Sequence, residues 1–257
     1  MCNQNPVFGS GDKCPVCGGT GTELFEKMID GYDTPLEYAR PCPRCKGKSR
    51  EHDETGVPPQ FCDADLYKFG FDSYIQNMDR FKQVIWDFFN NFKTWEKSGK
   101  GLYLWSKTPG SGKTFLSCCV ARSLMVKYDL RMRFVTAPDY LAAVGESYKR
   151  QEGMMDKSQI FRECALLVLD DIGTQKTGDW QQQELFRLIN ERSNAGKLII
   201  FTSNMPPEKL NVDSRTVDRI QKMSIVLQMP EESIRLKKAQ AEQNEFLRRI
   251  FPDEKQN

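Results

Sequence analysis

Two short stretches of the chain carry residues whose types and spacing suit phosphate chemistry. In KTPGSGKT, residues 107–114, Gly112, Lys113 and Thr114 fill the last three places of the phosphate-loop pattern G-x-x-x-x-G-K-[ST], while Lys107 stands where the pattern has its first glycine. Such a loop binds phosphate oxygens through successive backbone N–H groups and the positive end of the following helix. The candidate nucleotide-binding residues are therefore Pro109, Gly110, Ser111, Gly112, Lys113, Thr114 and Phe115. At Gly110 and Gly112 a Cβ would obstruct the approach of phosphate. Lys107 only leads the chain out of the preceding strand, and lysine can serve there if its φ stays negative. The Lys113 ammonium suits the β- and γ-phosphates, and the Thr114 hydroxyl suits Mg²⁺.

The second stretch, LLVLDD (166–171), is four apolar residues closing on two carboxylates. Asp170 is placed to hold Mg²⁺ and Asp171 to orient an attacking water as a base. Further on, FTSN (201–204) ends in Asn204 at the tip of another apolar run, where a polar side chain would lie beside the γ-phosphate. An Asp-Asp pair or a lone Asn after a strand is also an ordinary turn. The order of the three pieces, with the loop set between an apolar strand and a helix, favours a nucleotide site.

A second chemistry is written in cysteine. CPVC (14–17) and CPRC (42–45) are two C-x-x-C knuckles separated by 24 residues. Each knuckle lets two thiolates meet one Zn²⁺ at about 2.3 Å, and Cys14, Cys17, Cys42 and Cys45 together would complete a tetrahedral structural site. The gap exceeds the usual ribbon spacing, but TELFEKMIDGYDTPLEYAR (22–40) reads as a hairpin turning at Asp30-Gly31 that would bring the knuckles together. Two disulfides are the competing reading and fit a reducing compartment poorly. A unit this small and this poor in apolar residues needs such a staple. Cys118, Cys119 and Cys164 lack paired spacing and read as small buried hydrophobes. With His52 as the only histidine, no Ser-His or Cys-His catalytic machinery is available.

These groups must be positioned by regular elements, and the apolar pattern supplies them. DRFKQVIWDFFNNFKTWEK (79–97) spaces Phe81, Ile85, Phe88, Phe89, Phe92 and Trp95 as one amphipathic helix. Strands and helices then alternate. Strands are expected at 101–105, 131–137, 164–171, 198–204 and 224–229, and helices at 114–128, 138–150 and 180–194. The strands are apolar at nearly every position, which indicates a parallel sheet covered on both faces. SREHDETGVPP (49–59) is polar and ends in two prolines, as a linker does. The expected domains are a zinc-binding unit at 1–50, a linker at 51–63 and an ATPase unit at 64–257.

Composition bounds the setting. The 257 residues are 39% hydrophobic, with no run of about 18 apolar residues to span a bilayer and no signal-like start, so a cytoplasmic protein without a membrane partner is expected. The net charge of +2 divides unevenly: residues 1–63 hold seven Lys/Arg against ten Asp/Glu. An acidic zinc unit suits a protein partner better than DNA.

The phosphate loop, LLVLDDIG (166–173) and FTSN in this order resemble the AAA+ ATPases. The DDIG continuation and the lead-in VPPQFCDADLYKFGFDSY (57–74) resemble bacterial and phage helicase loaders of the DnaC and DnaI type, close relatives of transposition ATPases of the IstB type. The resemblance covers roughly residues 58–237. It implies an α/β fold: an AAA+ P-loop NTPase with a parallel five-stranded sheet flanked by helices, preceded here by a small zinc-ribbon-like domain. SRTVDRIQKM (214–223) resembles the helix bearing an arginine finger that acts on a neighbouring subunit, with Arg219 the better candidate and Arg215 the second. ESIRLKKA (232–239) resembles the segment bearing a second sensor arginine, here Arg235. Asp171, Asn204, Arg219 and Arg235 are then the catalytic candidates. The implied cofactors are ATP, Mg²⁺ and Zn²⁺. The implied activity is ATP-dependent loading of the replicative DNA helicase onto single-stranded DNA, with the helicase gripped by the zinc domain and self-association through AAA+ interfaces. A transposition ATPase and a non-hydrolysing nucleotide-gated binding module are the alternatives. Lys107 and the short Asp171 carboxylate imply slow turnover.

Overall fold

A computed structural model describes residues 15–17, 22–27, 36–42, 55–148, 158–173 and 178–250. Its contacts divide the chain into two units, Met1–Gly56 and Val57–Asn257. In the first unit the segments flanking the expected hairpin turn form β1 (Thr22–Lys27) and β2 (Leu36–Pro41), which pair antiparallel with Thr22 opposite Pro41 and Lys27 opposite Leu36. Glu23 and Arg40, directly opposite each other, join in an ion pair of 2.8 Å. This register returns the chain to its start, and Cys17 and Cys42 form a small buried cluster there. The turn residues Asp30 and Gly31, and the outer cysteines Cys14 and Cys45, lie outside the described residues.

The five apolar runs of the second unit form β3 (Gly101–Trp105), β4 (Met132–Thr136), β5 (Leu166–Asp170), β6 (Leu198–Ser203) and β7 (Ser224–Gln228). They lie in the order β4-β5-β6-β3-β7, every neighbouring pair parallel. Successive strand residues point to opposite faces, and here each face has its own core. Leu102, Leu104, Leu166, Val168, Leu198 and Ile200 join one cluster, and Tyr103, Leu167, Leu169, Ile199 and Phe201 join the other. That double burial is why these strands are apolar without alternation.

Helices supply both covers. On the first face lie α1 (Asp79–Asn90), α2 (Phe92–Ser98) and α3 (Lys113–Tyr128), through Phe81, Ile85, Phe88, Phe92, Leu116, Val120 and Leu124. On the second lie α4 (Ala137–Tyr148), α6 (Asp179–Asn194) and α7 (Ser214–Met223), with the short α5 (Gln159–Glu163) leading into β5. The last helix, α8 (Ile234–Ile250), buries none of its residues. Among the described residues no helix is long and apolar enough to cross a membrane.

Two expectations need correction. The single helix over 79–97 is broken at Asn91, whose amide and side chain both turn back onto Asp87. Asp87 also takes the indole N–H of Trp95 at 2.7 Å, so one carboxylate braces both helices across the break. The segment 51–63 is not all linker. Val57 belongs to the first core and Phe61 packs on it, its ring 5.6 Å from that of Phe115 in α3, because these apolar side chains have that core to bury against. The isolated cysteines behave as expected: Cys118, Cys119 and Cys164 are buried, and burial pushes the first two thiols up to about 12.

Candidate functional site

The phosphate loop leaves β3 at Ser106 and enters α3 at Lys113. Gly110 and Gly112 have φ of 77° and 95°, so both need the left-handed region that glycine reaches without strain. A Cβ on Gly112 would lie 2.6 Å from the Tyr74 hydroxyl oxygen, and one on Gly110 would lie 2.8 Å from Ser233 Oγ. Lys107 has no such demand, since the only non-glycine residues with positive φ among those described are Asp129 and Asp171. The missing first glycine therefore costs the backbone nothing. Pro109 is exposed, and Ser111 is buried with its carbonyl accepting the Tyr74 hydroxyl at 2.7 Å. Phe115 packs its ring on Phe61 and Phe69.

Lys113 is folded against its own loop, its ammonium donating to the carbonyls of Ser106 and Thr108 and to Ser111 Oγ at 3.1–3.2 Å. Burial lowers its pKa, while the Glu231, Asp171 and Asp170 carboxylates pull the other way. At the end of β5, Asp170 Oδ1 accepts the hydroxyls of Thr114 at 2.8 Å and Thr202 at 2.6 Å. Burial raises the Asp170 carboxyl above its usual range, and those two hydrogen bonds oppose the rise. A buried carboxylate beside a threonine hydroxyl is an oxygen donor set of the kind a hard divalent cation takes. The residues fit Mg²⁺.

Asp171 adopts φ 58°, a left-handed conformation uncommon outside glycine. It is fixed there by its amide, which donates to Thr202 Oγ1 at 2.9 Å, and by Asn204 Nδ2, 3.4 Å from Asp171 Oδ1. The strand order places β6 between β3 and β5, so Asn204 comes off the strand adjacent to both. Lys113, Thr114, Asp170, Asp171 and Asn204 are thus brought together. The cluster joins a turn of the phosphate-loop pattern, a carboxylate–hydroxyl oxygen pair and a carboxylate–amide pair with the geometry to orient a water.

Arg235, in the first turn of α8, donates its backbone N–H to the Gly110 carbonyl at 3.2 Å and lays its side chain over that glycine. Its charge contributes to lowering the Lys113 pKa. Arg219 and Arg215 belong elsewhere. They line a cavity of about 420 Å³ with Phe186, Ser214 and Asp218, between α6 and α7. Arg215 is clamped by Asp213 at 2.8–3.2 Å and stacked 4.7 Å from the Phe186 ring centroid. Of the four expected metal ligands, Cys17 and Cys42 meet in the first unit.

Four further residues serve the site. Thr202 holds both Asp170 and Asp171; as a hydroxyl inside the apolar run LIIFTS it is a signal the sequence displays. Ser106, buried just after β3, lends its carbonyl to Lys113. Tyr74 and Glu231 reach the loop from 37 residues before Ser111 and 124 after Lys107. Glu231 accepts the backbone N–H of Lys107 at 3.0 Å and of Thr108 at 2.8 Å.

The comparisons agree with this geometry. The "Replicative helicase loader DnaI" of Bacillus subtilis (strain 168) is 30% identical over 188 residues, 71% of this chain and 59% of that protein. A "Chromosomal replication initiator protein DnaA" of Streptococcus equi subsp. zooepidemicus (strain MGCS10565) is 29% identical over 156 residues, 59% of this chain and 34% of that protein. The chain thus spans about a third to three fifths of the lengths of these relatives. Among solved structures, that of the DnaC helicase loader superposes with a TM-score of 0.57 at 24% identity, covering 67% of this chain and 100% of that one. AMPPCP-bound DnaA from Aquifex aeolicus gives 0.55 at 22% identity, covering 74% of this chain and 56% of that one. These likenesses establish an AAA+ P-loop fold. Residues 100–242, more than half of the chain, match the family described as "IstB-like ATP binding protein". The chain belongs to the IstB-like ATP-binding protein family.

Proposed function

We propose that this chain is an ATP-dependent loader of a replicative DNA helicase onto single-stranded DNA. The observation that carries the reading is the convergence of Lys113, Thr114 and Asp170 in a chain related over 71% of its length to a replicative helicase loader. The backbone N–H groups of residues 110–114 cradle the phosphates, and the Lys113 ammonium swings from its loop carbonyls to the β- and γ-oxygens. Thr114 and Asp170 would hold Mg²⁺, which neutralises charge on the phosphates when bound. Asp171 and Asn204 orient the attacking water. Arg235 contributes from the start of α8, and Arg219 serves a neighbouring subunit's site, so the active form is an oligomer. The Asp171 carboxylate is short and its backbone is held in an unusual conformation, which suits slow hydrolysis: a switch rather than a motor.

In this reading residues 1–50 form a zinc domain, with Cys14, Cys17, Cys42 and Cys45 holding the metal; the buried meeting of Cys17 and Cys42 supports it. Its acidic balance suits a helicase partner, leaving single-stranded DNA to the AAA+ unit. A second reading is a transposition ATPase of the IstB type, delivering a transposase to DNA; the match to an IstB-like ATP binding protein family keeps it in view. Co-purification separates the two. The full chain should retain the replicative helicase of its own genome through the zinc domain, and its ATP hydrolysis should respond to single-stranded DNA. Failure to retain the helicase, with retention of a transposase instead, would favour transposition.

A further inference from the structure

We propose that Glu231 is a positioning residue of the phosphate loop, holding residues 106–108 in the arrangement that presents Lys113 to phosphate. The inference rests on the nucleotide-binding reading of the loop and goes beyond it. Four donors converge on this one carboxylate. Lys107 N–H reaches Oε1 at 3.0 Å, and Thr108 N–H, Thr108 Oγ1 and Ser106 Oγ reach Oε2 at 2.8, 2.8 and 3.2 Å. The same short segment is gripped from its carbonyl side by Lys113, through Ser106 O and Thr108 O, each at 3.1 Å. Residues 106–108 are therefore held between Glu231 on their N–H side and the Lys113 ammonium on their C=O side. Displacing them removes the two carbonyls that place the ammonium.

The carboxylate arrives on a strap tied at both ends. Met229 N–H donates to Trp105 O at 2.7 Å, and Arg235 N–H donates to Gly110 O at 3.2 Å. Gln228 Nε2 adds a contact to Glu231 Oε1 at 3.3 Å. Burial pushes the Glu231 carboxyl up, but the hydrogen bonds from Lys107, Thr108 and Gln228 outweigh it and hold it below the usual carboxylate range. The chemistry calls for a carboxylate in particular. Two backbone N–H donors face its two oxygens, and an amide in the same place would set its own NH₂ against one of them.

The test uses the full chain and four measurements: affinity for fluorescent ATP, affinity for fluorescent ADP, turnover at saturating ATP, and melting. Glu231→Gln should weaken ATP and ADP binding alike, by about tenfold for loss of a charged acceptor from the backbone N–H groups of Lys107 and Thr108. Turnover at saturating ATP should fall as well, because the Lys113 ammonium that residues 106–108 place is the group assigned to the β- and γ-phosphates. Thr108→Ala should weaken binding less, and the double variant should lose less than the two single losses combined, because both act through one contact. A Glu231→Gln protein that melts earlier but binds both nucleotides normally would overturn the proposal, as would strictly additive losses. The Lys113→Ala chain separates this claim from the one beneath it. If that variant binds nucleotide like the wild type, or the wild type binds none, the nucleotide reading of the loop falls and Glu231 falls with it.

Discussion

Thr202→Val tests whether one buried hydroxyl organises the two carboxylates. Thr202 is 2% exposed, and valine nearly conserves its volume, so the change removes hydrogen bonds and leaves no cavity. Two bonds go: the 2.6 Å donation to Asp170 Oδ1 and the 2.9 Å acceptance from Asp171 N–H. A bond to a charged group contributes roughly 1.5–3 kcal/mol, and a buried N–H left without a partner costs roughly 1–3 kcal/mol. Because the two effects share one neighbourhood they do not simply add, and about 3 kcal/mol is the working figure. For a unit of this size that lowers Tm by roughly 6–12 °C. The functional effect is more specific. Asp170 loses the hydrogen bond that most opposes its burial, so its ionised form is disfavoured and Mg²⁺-dependent nucleotide affinity should fall while affinity in excess chelator changes little. Thr202→Ser, which keeps the hydroxyl, should retain most of the stability and all of the Mg²⁺ dependence. The readouts are a thermal melt and a nucleotide titration with and without Mg²⁺. A valine variant that melts with the wild type and keeps its Mg²⁺ response, or a serine variant that behaves like valine, would refute the reasoning.

Asp171→Asn should leave nucleotide affinity and fold intact, since asparagine tolerates the left-handed φ, and should reduce turnover by about 10²; hydrolysis at the wild-type rate would put the water-orienting group elsewhere. Arg219→Ala should still bind ATP but hydrolyse it poorly, and mixing it with Lys113→Ala should restore part of the activity, because an intact loop on one chain then meets an intact arginine on another. A mixture that stays inactive while both chains remain folded would move the assignment to Arg215, despite its clamp on Asp213. Cys17→Ser should abolish the zinc content expected at about one atom per chain and leave ATP binding by the second unit near normal; equal zinc in variant and wild type would disprove the ligand assignment.

Much of the fold is legible in the chain because the sheet is buried on both faces. Runs such as LLVL (166–169) and LIIF (198–201) are apolar at every position, and that pattern suits little but a covered parallel strand. The phosphate loop survives the loss of its first glycine for a related reason: it works through backbone, and only Gly110 and Gly112 take the positive φ that other residues resist. The break at Asn91 is hidden because Phe88, Phe92 and Trp95 keep helical spacing across it, and spacing reports burial rather than continuity. The five-residue α5 is too short to show a period at all. Tyr74 and Glu231 escape for a different reason. Their contacts with the loop span 37 and 124 residues, and no local pattern records a hydrogen bond made only when the chain has folded. Asp171 is half legible: its carboxylate is plain in LLVLDD, while its left-handed backbone follows from Thr202 and the turn beyond.

If ATP held by this chain drives delivery of a replicative helicase to single-stranded DNA, the delivery itself can be counted. The direct measurement is the amount of that helicase deposited on a closed single-stranded DNA circle, in the presence of the full chain and ATP. Deposition should rise with the chain and ATP together, fail with Lys113→Ala, and fail with a chain whose four knuckle cysteines are replaced although that chain still binds ATP. Deposition that is the same without the chain, while the chain demonstrably binds and hydrolyses ATP, would contradict it.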